Sequence, residues 1–107
     1  MASAAICDVT RSDQVKKVVE DVIAKHGKID VLHNNVGFAT MGGPIELDEA
    51  SRRRTLDFNV TSCFITCKHV FPHILQRRSG AIANVSSVAA IRYTGYPMSP
   101  VTRPRRL

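Results

Sequence analysis

Ile29-Asp30-Val31-Leu32-His33-Asn34-Asn35-Val36-Gly37 begins as a short apolar run and stops abruptly in two carboxamides and a glycine. The run from Ile29 to His33 reads as a buried parallel strand. Its polar end reads as a loop delivered at the strand's carboxyl end, where open α/β sheets bind ligands. Two side-chain amides and a residue free to take positive φ hold a tight, rigid turn. Asn-Asn-x-Gly is also an ordinary turn signal when it stands alone, so its meaning rests on what flanks it.

Upstream, Ala4-Ala5-Ile6-Cys7-Asp8-Val9 reads as a short buried strand ending in an acidic turn. Ser12 is placed as an N-cap with Asp13 in the first turn. Val15, Val18, Val19, Val22 and Ile23 then recur at helical spacing up to Gly27, a typical stop. The result is an amphipathic helix of about four turns. Strand, helix and strand make one right-handed parallel unit. Downstream, Phe38 to Pro44 is a glycine-bearing loop suited to face a ligand. Asp48 caps a second helical stretch from Glu49 to about Arg77, with apolar positions at Leu56, Val60, Phe64, Ile65, Val70, Ile74 and Leu75. Pro72 falls inside it and is expected to bend it. Gly80 ends the helical region, and Ala81 to Ser86 is the third strand. From Met98 to Leu107 neither period is present, which predicts a disordered basic tail after a domain at 1–97.

The 107 residues are 44% hydrophobic, 22% charged and 6% aromatic, a globular composition. A domain this small buries roughly 60 to 70% of its unfolded surface, so its stability is expected to be thin. Three cysteines, an odd number with no basic-flanked leader ahead of them, predict a reducing, cytoplasmic setting. No apolar run approaches the roughly 20 residues that span a bilayer, so no membrane partner is expected. The net charge of +6 is concentrated in Arg52-Arg53-Arg54, Arg77-Arg78 and the last residues. Without interleaved aromatics for base stacking, these clusters read as a solvated helix face and a tail. A basic nucleic-acid-binding module is the weaker alternative. Cys63 and Cys67, like His69 and His73, lie one turn apart, but no compact ligand set completes a metal site.

Four features fall at successive strand ends or on the helix between them: Asp8-Val9, Asn34-Asn35-Val36-Gly37, Asn59 within Asp57-Phe58-Asn59-Val60-Thr61, and Ser86-Ser87. In order and register they resemble the short-chain dehydrogenase/reductase family over roughly Ile6 to Pro97. The resemblance implies an α/β fold: a partial Rossmann-like, doubly wound parallel sheet holding the third to fifth strands of the family fold, with flanking helices. It also implies NAD- or NADP-dependent hydride transfer to or from a small alcohol or carbonyl. By the same resemblance, Asp8 would accept from the adenine amino group with Val9 packed on the ring. Asn34, Asn35, Val36 and Gly37 would line the cofactor, with Val36 adding bulk where the family has alanine. Asn59 would hold a relay water by its backbone carbonyl, and Ser87 would hydrogen-bond the substrate oxygen.

Two departures bear on activity. No Gly-rich phosphate loop lies within these residues, and such a loop is what sets pyrophosphate on a helix N-terminus. The family's Tyr-x-x-x-Lys, counted from Ser87, would fall at about positions 100 and 104, where Pro100 and Pro104 stand. Tyr93 and Tyr96 are followed four residues on by Pro97 and Pro100, so neither forms the motif. The 107-residue chain is therefore expected to be inactive alone. The rival reading is a non-catalytic fragment that joins a homo- or hetero-oligomer through the helix around Val60 to Leu75. The family strand order also separates Ala4 to Asp8 from Ile29 to His33 by two further strands, which leaves an open edge on the Ile29 strand.

Overall fold

The computed structural model describes residues 1–43 and 45–91. The expectations for Pro44, Tyr93, Tyr96, Pro97, Pro100, Pro104 and the 98–107 tail lie outside the described residues.

Helix α1 spans Ser12–His26, strand β1 Val31–Asn34, helix α2 Glu49–Leu56, helix α3 Ser62–Arg77 and strand β2 Ala81–Asn84. A π-helical turn at Asp57–Thr61 joins α2 to α3, and a 3-10 turn at Val88–Ala90 follows β2. The two strands pair in parallel, with Val31 opposite Ala81 and Asn34 opposite Asn84. This is the pairing expected between the Ile29 and Ala81 runs. Backbone bonds extend it at both ends, from Ala81 N to Asp30 O at 2.9 Å and from Val85 N to Asn34 O at 2.9 Å.

Helix α3 covers one face of this small sheet, and α1 packs on α3. Val15 and Val19 of α1 meet Ile65 and Val70 of α3 in the core, with Cys7, Ile23, Ile29, Leu32 and Ile74 half-buried against them. Because only one face is covered, β1 alternates: Leu32 and Asn34 turn inward, while Val31 is 61% exposed. The valine stripe of α1 meets α3 through Val15 and Val19, and Val18 and Val22 are left half-buried.

Several expectations are corrected. Ala4 to Val9 forms no strand, and Ile6 stands fully in solvent. A strand this short is stable only as part of a ladder, and among the described residues no neighbour pairs with it. The acidic turn at its end does form. Ser12 is not the cap of α1: Arg11 holds that position without a side-chain cap bond. Ser12 Oγ instead lies 2.8 Å from His69 Nε2 and ties α1 to α3. The stretch read as one helix from Glu49 to about Arg77 is interrupted by the π turn, and α3 runs through Pro72. Helix α3 is closed by Arg78 in the left-handed region, at φ 55°. The anticipated caps at Asp48 and Gly27 are present, with Asp48 Oδ1 accepting from Ser51 N at 2.6 Å and Gly27 at φ 75°.

Gly80 has φ 154°, and a β-carbon there would stand 2.8 Å from Ile74 Cγ1. Gly80→Ala is therefore expected to cost about 1 to 3 kcal/mol through overpacking and backbone strain. Urea denaturation checks this, and an unchanged midpoint would contradict it.

The Ser51 amide that caps onto Asp48 holds its carboxyl below the usual carboxylate value. Its contribution to α2 is complete above that usual value and is lost as pH falls through the lowered folded one. Helical circular dichroism should therefore fall in acid, with part of the transition removed in Asp48→Ala. Superimposable acid titrations of the two chains would refute the assignment.

Candidate functional site

The carboxyl ends of β1 and β2 lie side by side, and the loops that leave them carry most of the residues singled out in the sequence. Leu32, His33, Asn34, Asn35 and Val36 join Val9 and the α3 residues Ser62, Cys63 and Thr66 around a cavity of about 140 Å³. Val9 and the Asn34 to Val36 turn are thus brought together, although they lie far apart in sequence. Asp8, Gly37, Asn59 and Ser87 are not part of its lining.

Asp8 sits at the turn into α1. Its Oδ1 accepts from Thr10 N at 2.9 Å and Thr10 Oγ1 at 2.7 Å. The Thr10 hydroxyl and amide hold the carboxyl below its usual range. Its own N–H donates to Gln14 Oε1 at 2.8 Å, so the first turn of α1 fixes the acidic turn from behind.

Asn34 is buried, at 8% exposure. Its Nδ2 donates to Asn84 Oδ1 at 2.8 Å, and its Oδ1 accepts from Thr66 Oγ1 at 2.7 Å. A weaker contact runs from Nδ2 to Cys67 Sγ at 3.7 Å. The side chain thus braces β1, β2 and α3, and its neighbours Asn35 and Val36 face outward, with Val36 51% exposed.

Asn59 lies in the π turn, where the Ser62 N–H reaches back five residues to Asp57 O. Its carboxamide is fully engaged. Nδ2 donates to Phe38 O at 2.6 Å and Thr55 O at 2.7 Å, and Oδ1 accepts from Phe38 N at 3.1 Å. Both backbone groups of Phe38 are therefore held as a strand partner would hold them. The Phe38 ring meets Phe58 at 5.2 Å between centroids, under the Arg54 guanidinium at 5.9 Å. Gly37 packs beside this clasp, with room for a β-carbon 3.7 Å from Asn59 Oδ1. Ser87 caps the 3-10 turn, its Oγ accepting from Ala89 N at 3.1 Å.

Sequence reasoning passed over Ser62, Thr66, Asn84 and Phe38. A signal for the first two was present: Ser62, Ile65, Thr66 and Val70 share one helical face, so two small hydroxyl residues occupy core-facing positions of an otherwise apolar stripe. Asn84 and Phe38 gave none, because their partners are distant in sequence.

A family model for short chain dehydrogenases matches residues 1–100. The chain is 37% identical over 86 residues to the 3-oxoacyl-acyl-carrier-protein reductase of Thermotoga maritima, an alignment covering 80% of this chain and 35% of that protein. It is 38% identical over 92 residues to the 3beta-hydroxysteroid dehydrogenase of Mediterraneibacter gnavus, covering 85% and 32%. It thus spans about a third of the length of these curated relatives. Among solved structures, a Burkholderia xenovorans protein assigned to the short-chain dehydrogenase/reductases matches with a TM-score of 0.86 at 43% identity, over 90% of this chain and 36% of that one. ElxO with NADP bound matches with a TM-score of 0.83 at 28% identity, over 94% and 40%. The parallel strand pair, the order of motifs along it and these likenesses agree, and the chain belongs to the short-chain dehydrogenase family.

Proposed function

We propose that this segment serves NAD- or NADP-dependent hydride transfer between a nicotinamide and a small alcohol or carbonyl, and that it supplies the adenosine-side wall and the substrate serine. The observation that carries this reading is the cavity in which Val9 converges with Asn34, Asn35 and Val36. Its volume of about 140 Å³ is smaller than the roughly 300 to 1,000 Å³ of sites that enclose whole ligands, so it suits one portion of a dinucleotide. Valine, leucine and carboxamide walls suit a flat, uncharged heterocycle. The bound dinucleotide supplies the hydride donor or acceptor.

The hydrogen bonds of the remaining residues support the roles that the family resemblance implies for them. Thr10 occupies Asp8 Oδ1, which leaves the other oxygen to accept from a ring amino group. Ser87 Oγ accepts from Ala89 N, so its own proton is free to donate to a substrate oxygen and stabilise charge developing there. The Asn59 carboxamide is spent on Phe38 and Thr55, so a relay water would be held by its backbone carbonyl, which it would share with the Cys63 thiol. The free thiols Cys7, Cys63 and Cys67 support a reducing, cytoplasmic setting. No helix among the described residues is long and apolar enough to cross a membrane.

One observation favours a second, non-catalytic reading. Val60, Phe64, Phe71 and Leu75 are 60%, 66%, 45% and 61% exposed. They form a stripe along α3 and the π turn through which the chain would associate with itself or with a full-length relative.

The purified 107-residue chain is expected to show no measurable turnover with either nicotinamide cofactor. Pro100 and Pro104 carry no titratable group at the expected tyrosine and lysine register, and loss of a general acid typically costs about a hundred- to ten-thousandfold. Steady oxidation of a secondary alcohol that Ser87→Ala abolishes would overturn this expectation.

No Gly-rich loop that would set pyrophosphate on a helix N-terminus lies within these 107 residues, so NADP should bind more weakly than about 1 mM. Isothermal titration calorimetry giving micromolar affinity would contradict that.

A further inference from the structure

The carboxamide of Asn34 lies where β1, β2 and α3 meet, and its orientation is set from α3. Thr66 has one hydroxyl proton and two acceptors within reach, Asn34 Oδ1 at 2.7 Å and Cys63 O at 3.0 Å. The Cys63 carbonyl lies inside α3, where the helical ladder already provides a donor four residues on. Asn34 Oδ1 has no other donor among the described residues and is nearly buried, so leaving it unpaired would carry the full desolvation penalty. The proton therefore goes to Asn34. With Oδ1 held on α3, Nδ2 is directed at Asn84 Oδ1, 2.8 Å away. This side-chain bond lies beside the backbone bond from Val85 N to Asn34 O.

We propose that Thr66 is a positioning residue for the ligand cavity: by donating to Asn34 Oδ1 it fixes the Asn34 carboxamide against Asn84, and so holds the Asn34 to Val36 wall in place. Thr66 and Asn34 both line the cavity, and Asn35 and Val36 follow directly in the chain. Valine at position 66 keeps the shape and removes the proton, whereas serine keeps the proton. The proposal rests on the dinucleotide reading only for what the cavity receives; the orienting role stands on the geometry.

Amide NMR of the full 107-residue chain tests it, with the exposed Asn35 carboxamide as an internal reference. In the unaltered chain the Asn34 carboxamide protons should exchange with solvent markedly more slowly than those of Asn35. In Thr66→Val the Asn34 carboxamide and Val85 N–H should lose roughly tenfold in protection at unchanged helix content, and Thr66→Ser should restore it. Wild-type protection in Thr66→Val, or a Thr66→Ser chain as unprotected as Thr66→Val, overturns the proposal. Should Thr66→Val fail to fold, the unaltered chain decides: slow Asn34 exchange kept in Thr66→Ser supports the role, and exchange as fast as that of Asn35 overturns it. NADP added to the same sample at tens of millimolar, roughly tenfold or more above the limit of about 1 mM set for its affinity, separates the two readings. Absence of shifts at Asn35 and Val36 counts against dinucleotide binding and leaves the exchange result to decide the role of Thr66.

Discussion

The bond between Asn34 and the opposing strand end is the constraint on which the rest of the site depends. A parallel pair of four-residue strands is weak by itself, and here the two strands meet with one face uncovered. Asn34 adds side-chain bonds to Asn84 and Thr66 where the ladder runs out. The carboxyl ends of both strands, and the loops that leave them, are thereby held at one separation. A buried polar group of this kind is expensive unless fully satisfied, and among the described residues no buried side-chain polar atom lacks a partner.

The second clasp acts one loop further on. The π turn at Asp57–Thr61 interrupts the long helix at the level of Asn59, and the Asn59 carboxamide spans from Thr55 O to both backbone groups of Phe38. The segment after Gly37 is therefore tethered to the helix rather than left as a free loop. Phe38 adds ring contact with Phe58, which brings apolar burial to a stretch otherwise rich in glycine. Strand end, turn and loop are in this way held from one continuous run of helix, by Thr66 at one level and Asn59 at the other.

The same packing explains what stays open. Helices α1 and α3 both lie on one side of the sheet, and the outer face of β1 and β2 and the free edge of each strand have no cover among the described residues. Val31 on β1 is exposed for this reason. Relatives and solved neighbours are roughly three times as long as the matched region. The longer relatives accordingly have residues, outside the matched region, that could cover the face left bare here.

The sequence by itself determined the elements whose signals are local. The valine spacing of α1, the Asp48 cap, the apolar runs of β1 and β2 and their parallel pairing were all legible in Val15 to Ile23, Asp48, Ile29 to Leu32 and Ala81 to Val85. So was family membership, because the order of Asp8, Asn34 to Gly37, Asn59 and Ser87 is itself a linear property. Tertiary structure alone decided the rest. Ala4 to Val9 has the composition of a strand and forms none, since a strand exists only by hydrogen bonds to a neighbour. Ser12 has the chemistry of a cap and is turned to His69 instead, a partner 57 residues away. Thr66 and Asn84 carry no motif, and they matter because folding brings their side chains to one buried carboxamide, a relation set by proximity in space that no residue spacing along the chain records.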